Sequence, residues 1–213
     1  MVWVNKKGER FADEAITFLF TEAANSLYRQ PGKIAYTLFD DKIKQDIIEK
    51  GLGDAEPWAT KVDKDLLLHA GKGKVKISGS WDEIAEWMGV IPEVLNSTIS
   101  EYNYFCDQGH DETFVKDQEY LLPLRTPPYY ALFCCLDCVS THGGIKVNHH
   151  MEVLNHQDNP LCGLYAAGIE TGGTDSDTYD VNLPGHSFGF TINSGRIAGE
   201  NAAEHISRIS HDL

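Results

Sequence analysis

Apolar residues follow two different periods along the first 128 residues. Apolar positions three and four residues apart predict helices, because such positions share one helix face. These helices are predicted within 13–30, 41–48, 56–73, 80–90 and 91–109. Shorter runs rich in aromatic and β-branched residues predict strands at 33–40 and 74–79, and Gly8 marks the turn of an opening hairpin. This part of the chain is therefore predicted to be helix-rich, with both helices and strands.

The pattern changes after a proline-rich segment that precedes Tyr129. From there short apolar runs and glycine turns predict strands, and one helix follows at the C-terminal end. The change predicts two domains, 1–128 and 129–213. The expected fold class is α+β, with a helix-rich first domain followed by strands and a C-terminal helix.

The predicted C-terminal helix contains Gly189, Gly195 and Gly199. A glycine inside a helix costs about 1 kcal/mol relative to alanine, so a compensating interaction is expected. Gly195 and Gly199 share one face, which would let another surface come close. Pro184-Gly185 predicts a turn before the helix, with His186 or Ser187 as its N-cap. Two interpretations stay open: a helix packed tightly on a sheet, and a helix whose N-terminus contacts a cofactor.

Charge and cysteine content narrow the class of protein. The 213 residues carry a formal net charge of -14, which argues against binding to nucleic acid or to anionic membranes. No apolar run is long enough to span a bilayer, and the start of the sequence lacks the apolar segment of a signal peptide. The five cysteines are unevenly spaced and odd in number, which favours a reducing compartment and a cytoplasmic location.

A CxxC motif formed by Cys135 and Cys138 raises the possibility of a metal site. Such a site would need a second pair of ligands, for which His149-His150 and His156 are the nearby candidates. The surrounding run "YYALFCCLDCV" is apolar and aromatic, which predicts a buried strand in which cysteine packs as a small hydrophobic residue. Packing is the favoured interpretation, and no metal ligands are predicted.

Several segments, in order, resemble flavoproteins of the fumarate reductase/succinate dehydrogenase superfamily. The C-terminal part of these proteins is similar to the segments "THGGIKVN", "GLYAAGIETGG" and "GHSFGFTINSGRIAGENAA". Their capping domain is similar to the segments "VNKKGERFADEA" and "KIAYTLFDD". The resemblance runs from Val4 to Ile206 and implies an FAD-dependent oxidoreductase. It implies that 1–128 is the domain that covers the substrate, and that 129–213 is the C-terminal segment of a Rossmann-like FAD domain.

The glycine-rich motif that anchors the ADP part of FAD in such proteins is not in this sequence. The chain is therefore expected to lack the N-terminal half of the FAD domain, to carry no FAD by itself and to be inactive by itself. The alternatives are an isolated domain without catalytic activity and a ligand-binding module that uses the same fold.

The resemblance also implies which residues approach FAD. The turn from Gly168 to Gly173 would approach the cofactor, near the position where many members place a glutamate on the ribose. The amides at the start of the last helix would face the flavin pyrimidine ring and support negative charge there on reduction. The predicted cofactor-binding residues are Gly143, Gly168, Ile169, Glu170, Gly185, His186, Ser187 and Phe188.

Fumarate reductases bind a dicarboxylate with arginines and histidines, and these positions differ here. By resemblance, Phe18 and Asn182 stand in place of two arginines, and Val139-Ser140 in place of a histidine pair. A dicarboxylate would find no cationic fork, so a small substrate that is not doubly anionic is expected. His142 and Tyr179 are the predicted catalytic proton donors. A turn histidine bonded to backbone and a packing tyrosine are the alternatives.

Overall fold

The structure, a computed structural model, describes residues 1–18, 20–51, 61–137, 143–175, 179 and 183–211. They form two compact units, Met1–Leu136 and Asp137–Leu213. Helices and strands occur in both units, which confirms the predicted α+β class. The boundary predicted after residue 128 differs from the observed one, because Tyr129–Cys135 is a strand inside the sheet of the first unit.

A four-stranded antiparallel sheet runs through the first unit in the order β1-β2-β4-β3. Its strands are β1 (Val2–Asn5), β2 (Ile34–Asp40), β3 (Val75–Ser78) and β4 (Tyr129–Cys135). Strand β4 lies inside the sheet, where it pairs with all of β2 on one side and with β3 on the other. The predicted opening hairpin is present, since Val4 bridges Arg10 and Gly8 adopts a φ of 85° in the turn.

The described helices of the first unit begin and end largely where local sequence signals predict. They are α1 (Phe20–Tyr28), α2 (Asp41–Lys50), α3 (Val62–Gly71), α4 (Trp81–Met88) and α5 (Pro92–Gln108). The Asp40 carboxylate caps α2 by accepting from the amide of Ile43 at 3.0 Å. Helix α1 is shorter than predicted, because Glu14–Phe18 forms a 3₁₀ helix.

The sequence Ser80-Trp81-Asp82-Glu83 matches a capping box, which is only half formed in the structure. The Ser80 hydroxyl accepts from the amide of Asp82 at 3.1 Å, as an N-cap should. The Glu83 carboxylate instead accepts from the Ser78 hydroxyl at 2.7 Å, and that same hydroxyl accepts from the amide of Ser80. In a standard capping box the glutamate carboxylate accepts directly from the N-cap amide. Here the Ser78 hydroxyl lies between the Glu83 carboxylate and the Ser80 amide and bonds to both.

The core of the first unit joins sheet residues to the inner faces of α4 and α5. Its most completely buried apolar residues are Val2, Val4, Leu38, Ile84, Ala85, Leu95, Tyr102 and Ala131. The inner face of α5 carries the buried residues Leu95, Ile99, Tyr102 and Phe105. The prediction that the cysteines of β4 are buried is wrong, since Cys134 is half-buried and Cys135 is exposed.

The second unit contains a short hairpin and one long helix. The hairpin joins β5 (Glu152–Leu154) to β6 (Pro160–Tyr165), and the helix is α6 (His186–His211). A 3₁₀ turn at Gly168–Glu170 follows β6. No described helix of either unit combines the length and apolar character needed to cross a membrane.

The glycine face of α6 does not pack tightly on the described residues. A Cβ atom added at Gly189, Gly195 or Gly199 would meet no heavy atom within 4 Å. Of the two interpretations left open, close packing of this face on a sheet is therefore not found among the described residues. Apolar side chains on the same helix are exposed as well, among them Phe188, Ile192 and Ile206.

Candidate functional site

Most of the predicted cofactor residues lie in two segments of the second unit, the glycine turn at 168–173 and the start of α6. Gly168 adopts a φ of 74°, which favours glycine. Its amide donates to the hydroxyl of Ser194 at 2.9 Å, and its carbonyl accepts from the hydroxyl of Thr171 at 2.8 Å. Ser194 lies on α6 and is 1% exposed. A buried hydrogen bond therefore fixes the glycine turn against α6.

Sequence reasoning missed Ser194. In the sequence Ser194 is only a hydroxyl-bearing residue beside Gly195. Its hydrogen bond with the amide of Gly168 becomes visible only in the three-dimensional structure. Ile169 and Glu170 follow Gly168 and are exposed, so their side chains lie on the surface of this unit.

A close backbone approach occurs at Gly144, next to the predicted Gly143. The amide of Ile145 donates to the carbonyl of Glu170 at 2.8 Å, which brings this strand-like segment against the glycine turn. A Cβ atom added at Gly144 would lie 2.8 Å from the Glu170 carbonyl carbon. A Cβ atom added at Gly143 by contrast would meet no described heavy atom within 4 Å. The absence of a side chain is thus a packing requirement at Gly144.

The start of α6 presents backbone N–H groups. The helix begins at His186, directly after Gly185, whose φ is 82°. The amides of a helix's first turn have no acceptor within the helix, and the helix dipole makes this end positive. The predicted capping by His186 or Ser187 is wrong, because both residues lie inside the helix and their side chains bond elsewhere. Phe188 is exposed on the same turn.

Four side chains form a polar cluster at this helix start. His186 Nε2 lies 3.1 Å from Asp175 Oδ1, and His186 Nδ1 lies 2.9 Å from the carbonyl oxygen of Leu183. The Tyr179 ring packs on the imidazole with centroids 4.6 Å apart. The Ser187 hydroxyl donates to the Tyr179 hydroxyl at 3.3 Å. The structure thus brings the predicted Tyr179, His186 and Ser187 together.

Asp175 belongs to the same cluster and was missed as a site residue. Its only signal was one carboxylate among several in the segment "TDSDTYD". His142, the other predicted proton donor, lies outside the described residues, as do Asn182 and Ser140. The side chain of Phe18 also lies outside the described part of the structure.

Cys138 lies outside the described residues too. Within the part of the chain that the structure describes, no group of three or more histidine, cysteine, aspartate or glutamate side chains could hold a metal ion. His149 and His150 stack on each other, with ring centroids 3.8 Å apart.

A buried charge cluster, formed by Arg10, Glu14, Asp111 and Lys116, lies in the first unit. Arg10 makes two hydrogen bonds to the Glu14 carboxylate, at 2.9 and 3.0 Å, and one to Asp111 at 2.8 Å. Lys116 Nζ donates to Glu14 at 3.0 Å. The Arg10 guanidinium also lies about 5 Å from the ring centroids of Tyr102 and Phe114. These contacts anchor the segment after the opening hairpin to the chain that follows α5.

The cluster changes the acidity of its carboxyl groups. Burial by itself would raise the pKa of Glu14, but hydrogen bonds and charge from Arg10 and Lys116 outweigh burial and hold the pKa below its usual value. Burial likewise opposes ionisation of Asp111, and the bonds from Arg10 and from the amide of Phe114 lower its pKa. Both groups are therefore stabilised as carboxylates.

A cavity of about 370 Å³ opens beside this cluster. Its walls are mostly apolar and include Trp3, Ile43, Ile47 and Leu122, while Glu14 and Lys116 contribute polar atoms. Two lysines line the cavity, and each is paired with a carboxylate: Lys116 with Glu14 at 3.0 Å and Lys50 with Asp46 at 2.9 Å.

Comparison with known proteins identifies related sequences along nearly the whole chain. A family model described as an FAD binding domain matches residues 1–178. The vinyl phenol reductase of Lactiplantibacillus plantarum is 34% identical over 99% of this chain and 45% of its own length. The fumarate reductase (cytochrome) of Shewanella frigidimarina is 29% identical over 96% of this chain and 32% of its own length.

The fold is also found among solved structures. The open conformation of a flavocytochrome c3 fumarate reductase is 30% identical and aligns with a TM-score of 0.67, over 96% of this chain and 32% of that protein. The chain thus spans less than half the length of these relatives.

Proposed function

Since this chain belongs to the FAD binding domain family, we propose that it is part of an FAD-dependent oxidoreductase acting on a small organic substrate. The first unit is proposed to be the capping domain, and the second unit the C-terminal segment of the FAD domain. The observation that carries the proposal is the family match over residues 1–178. The remaining part of the FAD domain, with its phosphate-binding glycine motif, would be supplied by sequence that these relatives have beyond the region matched here.

The glycine turn and the start of α6 have the chemistry needed to hold a flavin. The amides of Ser187 and Phe188 lie in the first helical turn, where they can donate to an electron-rich carbonyl or ring nitrogen. At Gly143 and Gly185 no described atom lies within 4 Å of the place that a Cβ would occupy. A flat heterocycle that accepts hydrogen bonds matches this combination.

When bound, FAD would supply hydride transfer between its N5 atom and a carbon of the substrate. Tyr179 is proposed as the residue that donates a proton to the substrate. Its hydroxyl accepts a hydrogen bond from Ser187, which strengthens the phenol as a donor because chained hydrogen bonds polarise one another. His142 is the second proposed donor, on the basis of its position in the sequence beside Gly143.

The proposed substrate is an unsaturated compound with at most one negative charge, of the vinyl phenol type. Phe18, Ser140 and Asn182 supply no cation at the positions where the resemblance to fumarate reductases requires one. The vinyl phenol reductase of L. plantarum is 34% identical over 99% of this chain, and an uncharged phenol needs no arginine fork.

The decisive experiment uses the longer natural protein that contains this chain. Its flavin content is measured first, and the reduced flavin is then mixed anaerobically with 4-vinylphenol or with fumarate. We expect reoxidation by 4-vinylphenol to be at least about 100-fold faster, because fumarate would lose charge-assisted hydrogen bonds worth about 1.5–3 kcal/mol each. The variant Tyr179→Phe should bind FAD normally and reoxidise about 100-fold more slowly.

The possible failures of this experiment have separate meanings. A colourless longer protein would contradict the proposal of an FAD enzyme. A coloured protein that turns over fumarate faster than 4-vinylphenol would leave the FAD proposal intact and overturn the substrate proposal.

A further inference from the structure

Both ring nitrogens of His186 face hydrogen-bond acceptors. Nδ1 lies 2.9 Å from the carbonyl oxygen of Leu183, and Nε2 lies 3.1 Å from Asp175 Oδ1 and 3.4 Å from Oδ2. A carbonyl oxygen and a carboxylate oxygen can only accept. A neutral imidazole carries a single N–H, so it could satisfy one of these contacts and would aim a lone pair at the other. The two contacts together require N–H groups on both nitrogens.

Burial of both side chains strengthens the requirement for an N–H group on each ring nitrogen. The side chains of His186 and Asp175 are 16% and 9% exposed, so bulk water contributes little to either group. An ionised carboxylate that is largely removed from water needs a charged or strongly donating partner. An imidazolium supplies that partner, whereas a neutral ring with Nε2 unprotonated would face the carboxylate with a lone pair.

The position of His186 in its helix works against a positive charge. The N-terminus of α6 carries the positive end of the helix dipole, which destabilises a cation in the first turn. Two neighbours oppose that effect. Among the described residues, the titratable groups against the ring are Asp175, which pairs with it, and Tyr179, whose ring centroid lies 4.6 Å from that of the imidazole and whose π system attracts a cation.

We propose that Asp175 is a positioning residue that holds His186 as an imidazolium and thereby ties the loop after the glycine turn to the start of α6. Asp175 follows the turn at 168–173, and His186 begins the helix, so the pair joins the two segments proposed to meet FAD. The proposed protonation of His186 is argued from the geometry of the cluster and does not depend on the proposed function. The consequence for FAD rests on the proposed function given above.

The first experiment measures the ring protonation directly. In ¹⁵N-labelled 213-residue chain, His186 is assigned by loss of its signals in His186→Gln, and both of its ring nitrogens should carry protons at pH 7. In Asp175→Asn the protonation constant should fall at least about tenfold, because a hydrogen bond to a charged group is lost. Asp175→Glu should keep the doubly protonated ring.

The control is Asp158→Asn, which removes a carboxylate from the same unit. Asp158 pairs with Lys146 on the surface, and both side chains are 64% exposed. This variant should leave the His186 signals unchanged. A wild-type ring with one proton at pH 7 would overturn the proposal, as would an Asp175→Asn chain with the wild-type titration.

The second experiment measures FAD binding in the longer natural protein. Wild-type affinity should weaken as pH rises through the titration of His186, since one of the two contacts is then lost. Asp175→Asn should weaken binding about tenfold at pH 7 and remove that pH dependence. If FAD binds equally well to both proteins, the proposed tie between the two segments fails. If neither protein binds FAD, the proposed function fails while the ring titration of the first experiment still stands.

Discussion

At the scale of single residues, the charge cluster of Arg10, Glu14, Asp111 and Lys116 determines how the first unit responds to mutation. Glu14 accepts from both cations and is 5% exposed. Removing one partner of a buried ion pair leaves an uncompensated charge and typically costs about 3–5 kcal/mol. We expect Glu14→Gln to lower the free energy of unfolding by that amount, measured by urea denaturation. Glu200→Gln, which breaks the exposed pair with Arg196, should cost at most about 0.5 kcal/mol.

The same residues give the first unit a defined sensitivity to acid. Because the folded-state pKa values of Glu14 and Asp111 are lowered, their contribution to stability is present above the unfolded-state values of about 4 and is lost as pH falls through the folded-state values. Denaturation at pH 7, 4 and 3 should therefore show a steep loss for the wild type. The Glu14→Gln chain should lose less over the same interval, and an equally steep loss would contradict the assignment.

At the scale of elements, α6 and the segment at Gly144 offer two substitutions with opposite expected signs. Gly199 faces open space, so Gly199→Ala in the 213-residue chain should stabilise by about 1 kcal/mol through helix propensity. Gly144→Ala should destabilise, because its Cβ would lie 2.8 Å from the backbone of Glu170. The melting temperatures of the two variants, compared with that of the wild type, test both expected signs. A lower melting temperature for Gly199→Ala would mean that its face is covered in this chain.

Element boundaries were predictable where a single residue's chemistry decides them. Asp40 caps α2, Gly51 ends it and Pro92 begins α5, and each of them acts on backbone within a few residues of its own position. Partners distant in sequence were not predictable. Nothing near Tyr129 indicates that its strand pairs with β2, and nothing near Asp175 indicates contact with His186. The open glycine face of α6 was misjudged because residue spacing shows which positions share a face but not what covers that face.

At the scale of the whole molecule, the missing phosphate motif determines what the 213-residue chain can bind. The glycine-rich turn of a dinucleotide fold holds the pyrophosphate, and the sequence contains no such motif. We expect the purified chain to contain no stoichiometric FAD, measured by visible absorbance after denaturation. The longer natural protein, treated identically, is the control and should be yellow. A yellow 213-residue chain would show that the glycine turn and α6 bind FAD without the motif.

The sheet order β1-β2-β4-β3 also fixes when the first unit can fold during synthesis. Strand β3 pairs with β4 and has no contact with β2 in the sheet, so both β2 and β3 keep an open edge until residues 129–135 leave the ribosome. The β2–β4 pairing joins segments about a hundred residues apart, such as Ile34 and Cys135, and closing so large a loop slows folding. Open strand edges are sites of association between nascent chains. A chain that stops before Tyr129 would therefore keep both edges open permanently, and we expect such a chain to aggregate in the cell.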